Sequence, residues 1–263
     1  MGKQDSFHTY LGKLSSVFQI ALALSAPFSG VIAQVSFHIL LWIGVLPKFL
    51  MVMVSFLFKE PHHYKKESTN VFSHLKESLM QFRNNYKLRL LVLTTTIRYA
   101  LGESTYLFRS TFFFMLWPLW AIGITSMISN LGAAASYYFS GKLIDKFKPF
   151  RILVVEVLSN RALSLVSLLI PTVVSPALMS LTSLSYGVGE VARTTLLQKE
   201  FTDEQRATMG SLSSLLNSLG FALSSFLLGL LADKVGPIQT LIVVNIIYFT
   251  PLFLYREIFK EDR

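Results

Sequence analysis

Long apolar runs dominate the chain and set its class. Each run is about twenty residues long, is apolar on both parities, and is separated from the next by a polar segment. A helix needs roughly 20 such residues to cross a bilayer, whereas a membrane strand alternates over about ten. The pattern therefore predicts an all-α polytopic membrane protein with eight transmembrane helices, at about 14–33, 40–58, 88–108, 119–140, 152–171, 176–196, 208–231 and 238–256.

Charge is scarce and unevenly placed. Only 15% of the residues are charged, against about 25% in soluble domains. On alternating sides of the eight spans, Arg109 and Lys234 are the only loop cations on one side, and the other side holds nearly all the rest. Basic loops stay in the cytoplasm, so we expect an integral protein of the cell membrane with both termini cytoplasmic. The net charge of +9 then indicates a lipid bilayer, not a nucleic acid, as the partner.

Motifs of enzymes and cofactor sites are missing from the sequence. It has no cysteine, no Walker loop and no H-E-x-x-H. The segment 187–192 has the letters G-x-G-x-x-A, but it lies in an apolar helix with no preceding strand, so we expect no dinucleotide, metal or other cofactor. The protein is predicted not to be an enzyme. An intramembrane enzyme would need Glu103 or Glu190 beside a nucleophile or a metal ligand.

A polar segment at 59–87 divides the chain. A helix is predicted from Asn70, either lying in the cytoplasmic interface or forming part of a solvated linker. Thr202 and Gln205 form a predicted capping box before the seventh span. The pattern G-x-L-S-S begins both the first span, at Gly12, and the seventh, at Gly210. Parallel repeats of this kind occur in one class of transporter.

Four segments carry a family resemblance. Gly141-Lys-Leu-Ile-Asp145-Lys146, followed by Arg151, resembles the cytoplasmic signature of the major facilitator superfamily, although Lys148 stands where that signature has glycine. Glu190-Val-Ala-Arg193 resembles an E-x-x-R near the cytoplasmic end of equivalent helices. The segments 205–210 and 229–236 look like the eleventh helix of the family and its outer turn.

The resemblance implies a fold of twelve helices in two bundles and transport of a small solute by alternating access. Residues 1–58 would be the last two helices of the N-terminal bundle, 59–87 the central loop, and 88–263 the six-helix C-terminal bundle. Four helices would then be missing before Met1. The alternative is a non-transporting membrane protein that needs a partner to supply them.

One segment of the first span bears on whether transport is coupled to protons. Ala26-Pro-Phe-Ser-Gly30 loosely resembles the antiporter signature of the family, which implies proton-coupled efflux. The other interpretation is a proline kink with a small-residue packing face.

Charges inside the spans are the candidates for a substrate or proton pathway. A central charge costs roughly 2.5–3.5 kcal/mol on insertion scales, so it needs a partner or water. Lys48, Arg98, Glu103 and Arg161 are such charges, and they indicate an anionic or zwitterionic solute. Arg98 and Glu103 lie about 140° apart on their helix and are poor partners for each other. The alternative is that these residues form ion pairs that only hold helices together.

The resemblance also implies a cytoplasmic gate. Its residues would be Gly141, Asp145, Arg151, Glu190, Arg193 and Arg206. Glu190 and Arg193 are three residues apart, so they share a helix face and can pair. Simple anchoring of the loops is the alternative role for this set.

Overall fold

The computed structural model describes residues 7–59, 71–201 and 206–260, and of 71–75 the backbone alone. These ranges are almost entirely helical and hold no strand. The predicted capping box at 202–205 and most of the polar segment before α3 lie outside the described residues. The helices are α1 (Phe7–Val35), α2 (Phe37–Ser55), α3 (Val71–Asn84), α4 (Tyr86–Phe114), α5 (Leu119–Lys146), α6 (Pro149–Leu169), α7 (Ser175–Ser180), α8 (Ser183–Lys199), α9 (Arg206–Val235), α10 (Pro237–Ile247) and α11 (Thr250–Ile258).

Six segments of the described chain are long and apolar enough to cross a membrane. They are α1, α2, α5, α6, α9 and the pair α10–α11. This confirms a polytopic all-α membrane protein. Two of the eight predicted spans do not meet the same measure. One is α4, which is 29 residues long but carries several charges, and the other is broken between α7 and α8.

The helices α4, α6 and α9 run in one direction, and α5 and the pairs α7–α8 and α10–α11 run in the other, as two apolar clusters at opposite ends of the bundle show. One cluster brings together the starts of α4, α6 and α9 with the ends of α8 and α11, through Leu88, Ile152, Met209, Leu197 and Ile258. The opposite cluster joins the ends of α4 and α6 with α7 and α10, through Phe112, Phe113, Leu168, Met179 and Leu241. Among the described residues, Lys146, Lys148, Arg151, Lys199 and Arg206 thus lie at the helix ends of the first cluster.

The longest helix contact is between α1 and α5, and glycines make it close. A Cβ on Gly30 would lie 2.9 Å from the carbonyl oxygen of Trp120, and one on Gly123 would lie 2.7 Å from that of Ala26. Near the other end, a Cβ on Gly141 would lie 2.6 Å from Thr9 Oγ1. Small residues let membrane helices approach to backbone contact. The segment 26–30, with its proline, is therefore part of a packing face.

Two helices, α2 and α3, are mostly exposed over their described side chains. No residue of α2 is buried, and its start is capped by Ser36, whose Oγ accepts from Ile39 N at 3.4 Å. The helix predicted from Asn70 is present as α3. It is joined to the end of α8, because Gln81 donates to the carbonyl oxygen of Glu200 at 3.0 Å.

Candidate functional site

A cavity of about 620 Å³ lies among α1, α4, α5, α6, the pair α7–α8, α9 and the link between α10 and α11. Its volume falls within the range of roughly 300–1,000 Å³ that holds small organic ligands. Most of the lining side chains are polar, aromatic or charged. The charged ones are Arg98, Glu103, Arg109, Arg161, Glu190 and Arg193.

A buried carboxylate, that of Glu156 on α6, organises the charges beside this cavity. Its Oε1 accepts from Arg98 Nη1 at 2.5 Å, and its Oε2 accepts from Arg193 Nη1 at 2.7 Å. Glu156 is only 1% exposed, so both bonds are shielded from water and are strong charge-assisted hydrogen bonds. The carboxylate thereby ties α4, α6 and α8 together at one point.

Arg193 is shared between two carboxylates. Its Nη2 donates to Glu190 Oε2 at 2.8 Å, which confirms that these residues share a face of α8 and pair. Glycine at position 189 makes room for the network, because a Cβ there would lie 2.6 Å from Glu156 Oε2. The chain Arg98–Glu156–Arg193–Glu190 is thus continuous, and three of its four members reach the cavity.

Arg161 has a different environment. Its Nη1 donates to Asn245 Oδ1 at 2.8 Å, and its guanidinium carbon lies 3.9 Å from the ring centroid of Tyr248. The Tyr248 hydroxyl in turn donates to the carbonyl oxygen of Arg98 at 3.1 Å. The break between α10 and α11 at Tyr248 therefore connects the two arginines through one aromatic side chain.

The remaining pathway candidates differ in position. Glu103 lines the cavity, is partly buried, and makes no side-chain hydrogen bond or ion pair within the described ranges. Lys48 is exposed on α2 and is not part of the cavity wall. The structure thus brings Arg98, Glu103 and Arg161 to one cavity and leaves Lys48 outside it.

The predicted gate residues fall into two groups. Glu190 and Arg193 belong to the cavity network. Asp145 lies at the end of α5, where His8 Nε2 of α1 is 3.1 Å from its Oδ1. Gly141 is buried one turn earlier against α1. The other two, Arg151 and Arg206, are exposed at the starts of α6 and α9.

Sequence reasoning left out Glu156, which pairs with two arginines from different helices. A signal was present, since Glu156 is the only acidic residue in its predicted span and stands five residues before Arg161. The bonds to Arg98 and Arg193 depend on helices far apart in the sequence. Asn160 and Tyr248 were missed for the same reason.

The comparison with protein families gives an identification. A family model described as Major Facilitator Superfamily matches residues 7–225, which is most of the chain. No curated protein matches the sequence. The matched range includes the network Arg98–Glu156–Arg193–Glu190 and every residue that lines the cavity except Tyr248. The chain belongs to the major facilitator superfamily, a family of membrane proteins that transport small solutes.

Proposed function

We propose that this chain is a secondary active transporter that carries a small solute through the central cavity by alternating access. The observation that supports this most is the network Arg98–Glu156–Arg193–Glu190 at the cavity wall. Buried charges in a membrane protein are costly and are characteristic of substrate and ion pathways. Transport fits better than catalysis, because arginines already occupy the Glu156 and Glu190 carboxylates.

The proposal includes eight spans. At about 1.5 Å per residue, α4 is long enough to cross the bilayer. Of its charges, Arg98 is paired inside the protein, and Glu103 and, near the end of the helix, Arg109 line the cavity, so lipid need not contact them. The pair α7–α8 would be the other span. Residues 1–58 then belong to the N-terminal bundle, 59–87 to the central loop and 88–263 to the C-terminal bundle, with both termini in the cytoplasm.

Alternating access requires one bundle to move against the other about a central site. Here α1 would belong to one bundle and α5 to the other. Their contact at His8, Thr9, Gly141 and Asp145 is proposed as part of the cytoplasmic gate, with Arg151 and Arg206 at neighbouring helix ends. The contact between His8 and Asp145 can separate at modest cost, because the Asp145 side chain is 69% exposed. The close packing of Gly141 on Thr9 and of Gly12 on Tyr137 would open with it.

Coupling to protons is proposed at Glu103. A carboxylate that faces the cavity without a cationic partner can gain or lose a proton as water access changes. The carboxylates of Glu156 and Glu190 already accept hydrogen bonds from arginines and are less suited to this role. Efflux is the proposed direction, on the resemblance of residues 26–30 to the antiporter signature.

The test uses the chain reconstituted in liposomes with an imposed pH gradient. Efflux of a panel of labelled small solutes should respond to the gradient in the wild type. In Glu103→Gln the gradient should no longer drive flux, while exchange of solute without a gradient persists. Glu257→Gln is the matched control, since Glu257 lies in an exposed pair with Lys260 and should leave flux unchanged. Gradient-driven flux that survives Glu103→Gln would refute the proton role.

A further inference from the structure

Two arginines of the cavity wall, Arg161 and Arg109, have no carboxylate partner among the described residues. Arg109 lies eleven residues beyond Arg98 on α4, over the rings of Tyr106 and Phe113, whereas Arg161 shares Tyr248 with Arg98 and so lies beside the ionic network. The three guanidinium groups of Arg98, Arg161 and Arg193 lie in one region, and Glu156 and Glu190 are the carboxylates that pair there. Both of these carboxylates bind Arg193, and Glu156 also binds Arg98. The partners of Arg161 are an amide and an aromatic ring, which are both neutral.

Arg161 also has an N–H donor without an acceptor in the described part of the chain. The side chain is 92% buried, being 8% exposed, and its Nε is enclosed with no hydrogen-bond partner in the described part of the chain. Guanidinium presents five N–H donors in a planar fork. An oxyanion satisfies two of them at once with well-aligned bonds. An unpaired cation at this depth is costly by itself.

The surroundings favour an organic anion over a bare inorganic ion. The guanidinium lies over the ring of Tyr248, which holds it at the cavity wall. Tyr137 and Tyr186 also line the cavity, and their rings are in edge-to-face contact with centroids 6.3 Å apart. Aromatic side chains provide a surface for the apolar part of a ligand, while a few polar groups fix its orientation.

We propose that Arg161 binds the negatively charged end of the transported solute, an organic oxyanion such as a carboxylate or a phosphate ester. Its apolar body would lie against the tyrosines, and Asn160 would be close enough on the same helix to bind a second oxygen. This substrate class rests on the proposed transport function. The network Arg98–Glu156–Arg193 would keep Arg98 and Arg193 occupied, so that Arg161 is the cation beside the network that remains for the solute.

The experiment measures binding to the purified full chain in lipid nanodiscs at pH 7 by titration calorimetry. The probes are phenylacetate, phenyl phosphate, the neutral isostere phenylacetamide and the cation phenethylammonium. The two anions should bind at least ten-fold more tightly than the amide or the cation. Equal binding of the carboxylate and its amide would overturn the inference, as would failure of both anions to bind.

Variants locate the anion site. Arg161→Gln should weaken binding of the anions about ten- to hundred-fold, as expected for a lost charge-assisted bond. Arg161→Lys should keep the preference for anions with lower affinity. Arg256→Gln, an exposed arginine on α11, should bind like the wild type. If Arg161→Gln does not fold, Arg161→Lys is the deciding variant. If Arg161→Lys binds the anions as tightly as the wild type, the guanidinium donors of Arg161 are not what binds the anion.

Failure of this inference can be told from failure of the transport function. Flux of a neutral or cationic solute that Arg161→Gln leaves unchanged would overturn the anion site and keep transport. Selective anion binding that depends on Arg161, without flux of any probe across liposomes, would support the site and reject transport.

Discussion

At the scale of single residues, Glu156 is the carboxylate that joins two buried arginines. This carboxylate has two oxygens and gives one to each of two arginines from different helices. Removing one member of such a buried set leaves an uncompensated charge, which costs far more than the set contributes as a whole. Glu156 should therefore affect stability and transport together, whereas Glu103 should affect coupling alone.

Replacement of Glu156 by glutamine tests this directly. We expect Glu156→Gln to lower the free energy of unfolding by about 3–5 kcal/mol, because Arg98 and Arg193 lose their shared anion. Thermal unfolding of the purified protein is the measurement. The control Glu257→Gln removes an exposed pair and should change stability by about 1 kcal/mol or less. Equal unfolding temperatures for the two variants would contradict the central role of Glu156.

Sequence reasoning recovered part of this site. Arg98, Glu103 and Arg161 were recognisable because charges are rare in apolar spans, and all three line the cavity. The pairing of Glu190 with Arg193 followed from their spacing. The identity of the partner of Arg98 did not follow, because 58 residues separate it from Glu156 and helix packing, not periodicity, brings them together.

At the scale of elements, the contact between α1 and α5 is the most extensive one between helices of the described chain. It depends on glycines at both ends, where backbone atoms of the two helices nearly touch. Spacing and hydropathy predicted both helices well. They did not predict which helices are neighbours, nor the breaks at 181–182 and 248–249 that divide two spans. The second break matters for function, because it presents Tyr248 to Arg161.

Enlarging a glycine in this contact should separate the two helices. We expect Gly123→Leu to destabilise the protein by about 1–3 kcal/mol through overpacking, since the added atoms would meet Ala26 and Pro27. Gly44→Leu is the matched control, because a Cβ there meets no atom within 4 Å. Thermal unfolding compares them. An equal loss of stability in both variants would show that the glycine contact does not hold α1 on α5.

At the scale of the whole molecule, the proposed alternating access requires α1 and α5 to move apart at the end of their contact where Gly141 meets Thr9. The absence of cysteine from the chain makes this movement open to engineered disulfides. A Cβ on Gly141 would lie 3.3 Å from Thr9 Cβ, close to the roughly 3.5–4.5 Å of a disulfide. The pair Thr9→Cys and Gly141→Cys should therefore oxidise readily.

Locking that contact should stop transport reversibly. We expect flux in liposomes to fall to background when the double-cysteine variant is oxidised and to return when it is reduced. Thr9→Cys alone, treated in the same way, is the control and should keep its flux. Undiminished flux in a fully cross-linked sample would show that this end of the α1–α5 contact is not part of the gate.

The most direct test of alternating access needs no knowledge of the solute. The variant Asn130→Cys places a single cysteine in the cavity wall. In oriented vesicles it is treated with a membrane-impermeant maleimide from one side or from the other. The variant Lys142→Cys, at an exposed position, is the control for access from one side only. We predict labelling of Asn130→Cys from both sides and of Lys142→Cys from the cytoplasmic side alone. Labelling of Asn130→Cys from one side only, under all conditions, would contradict the account.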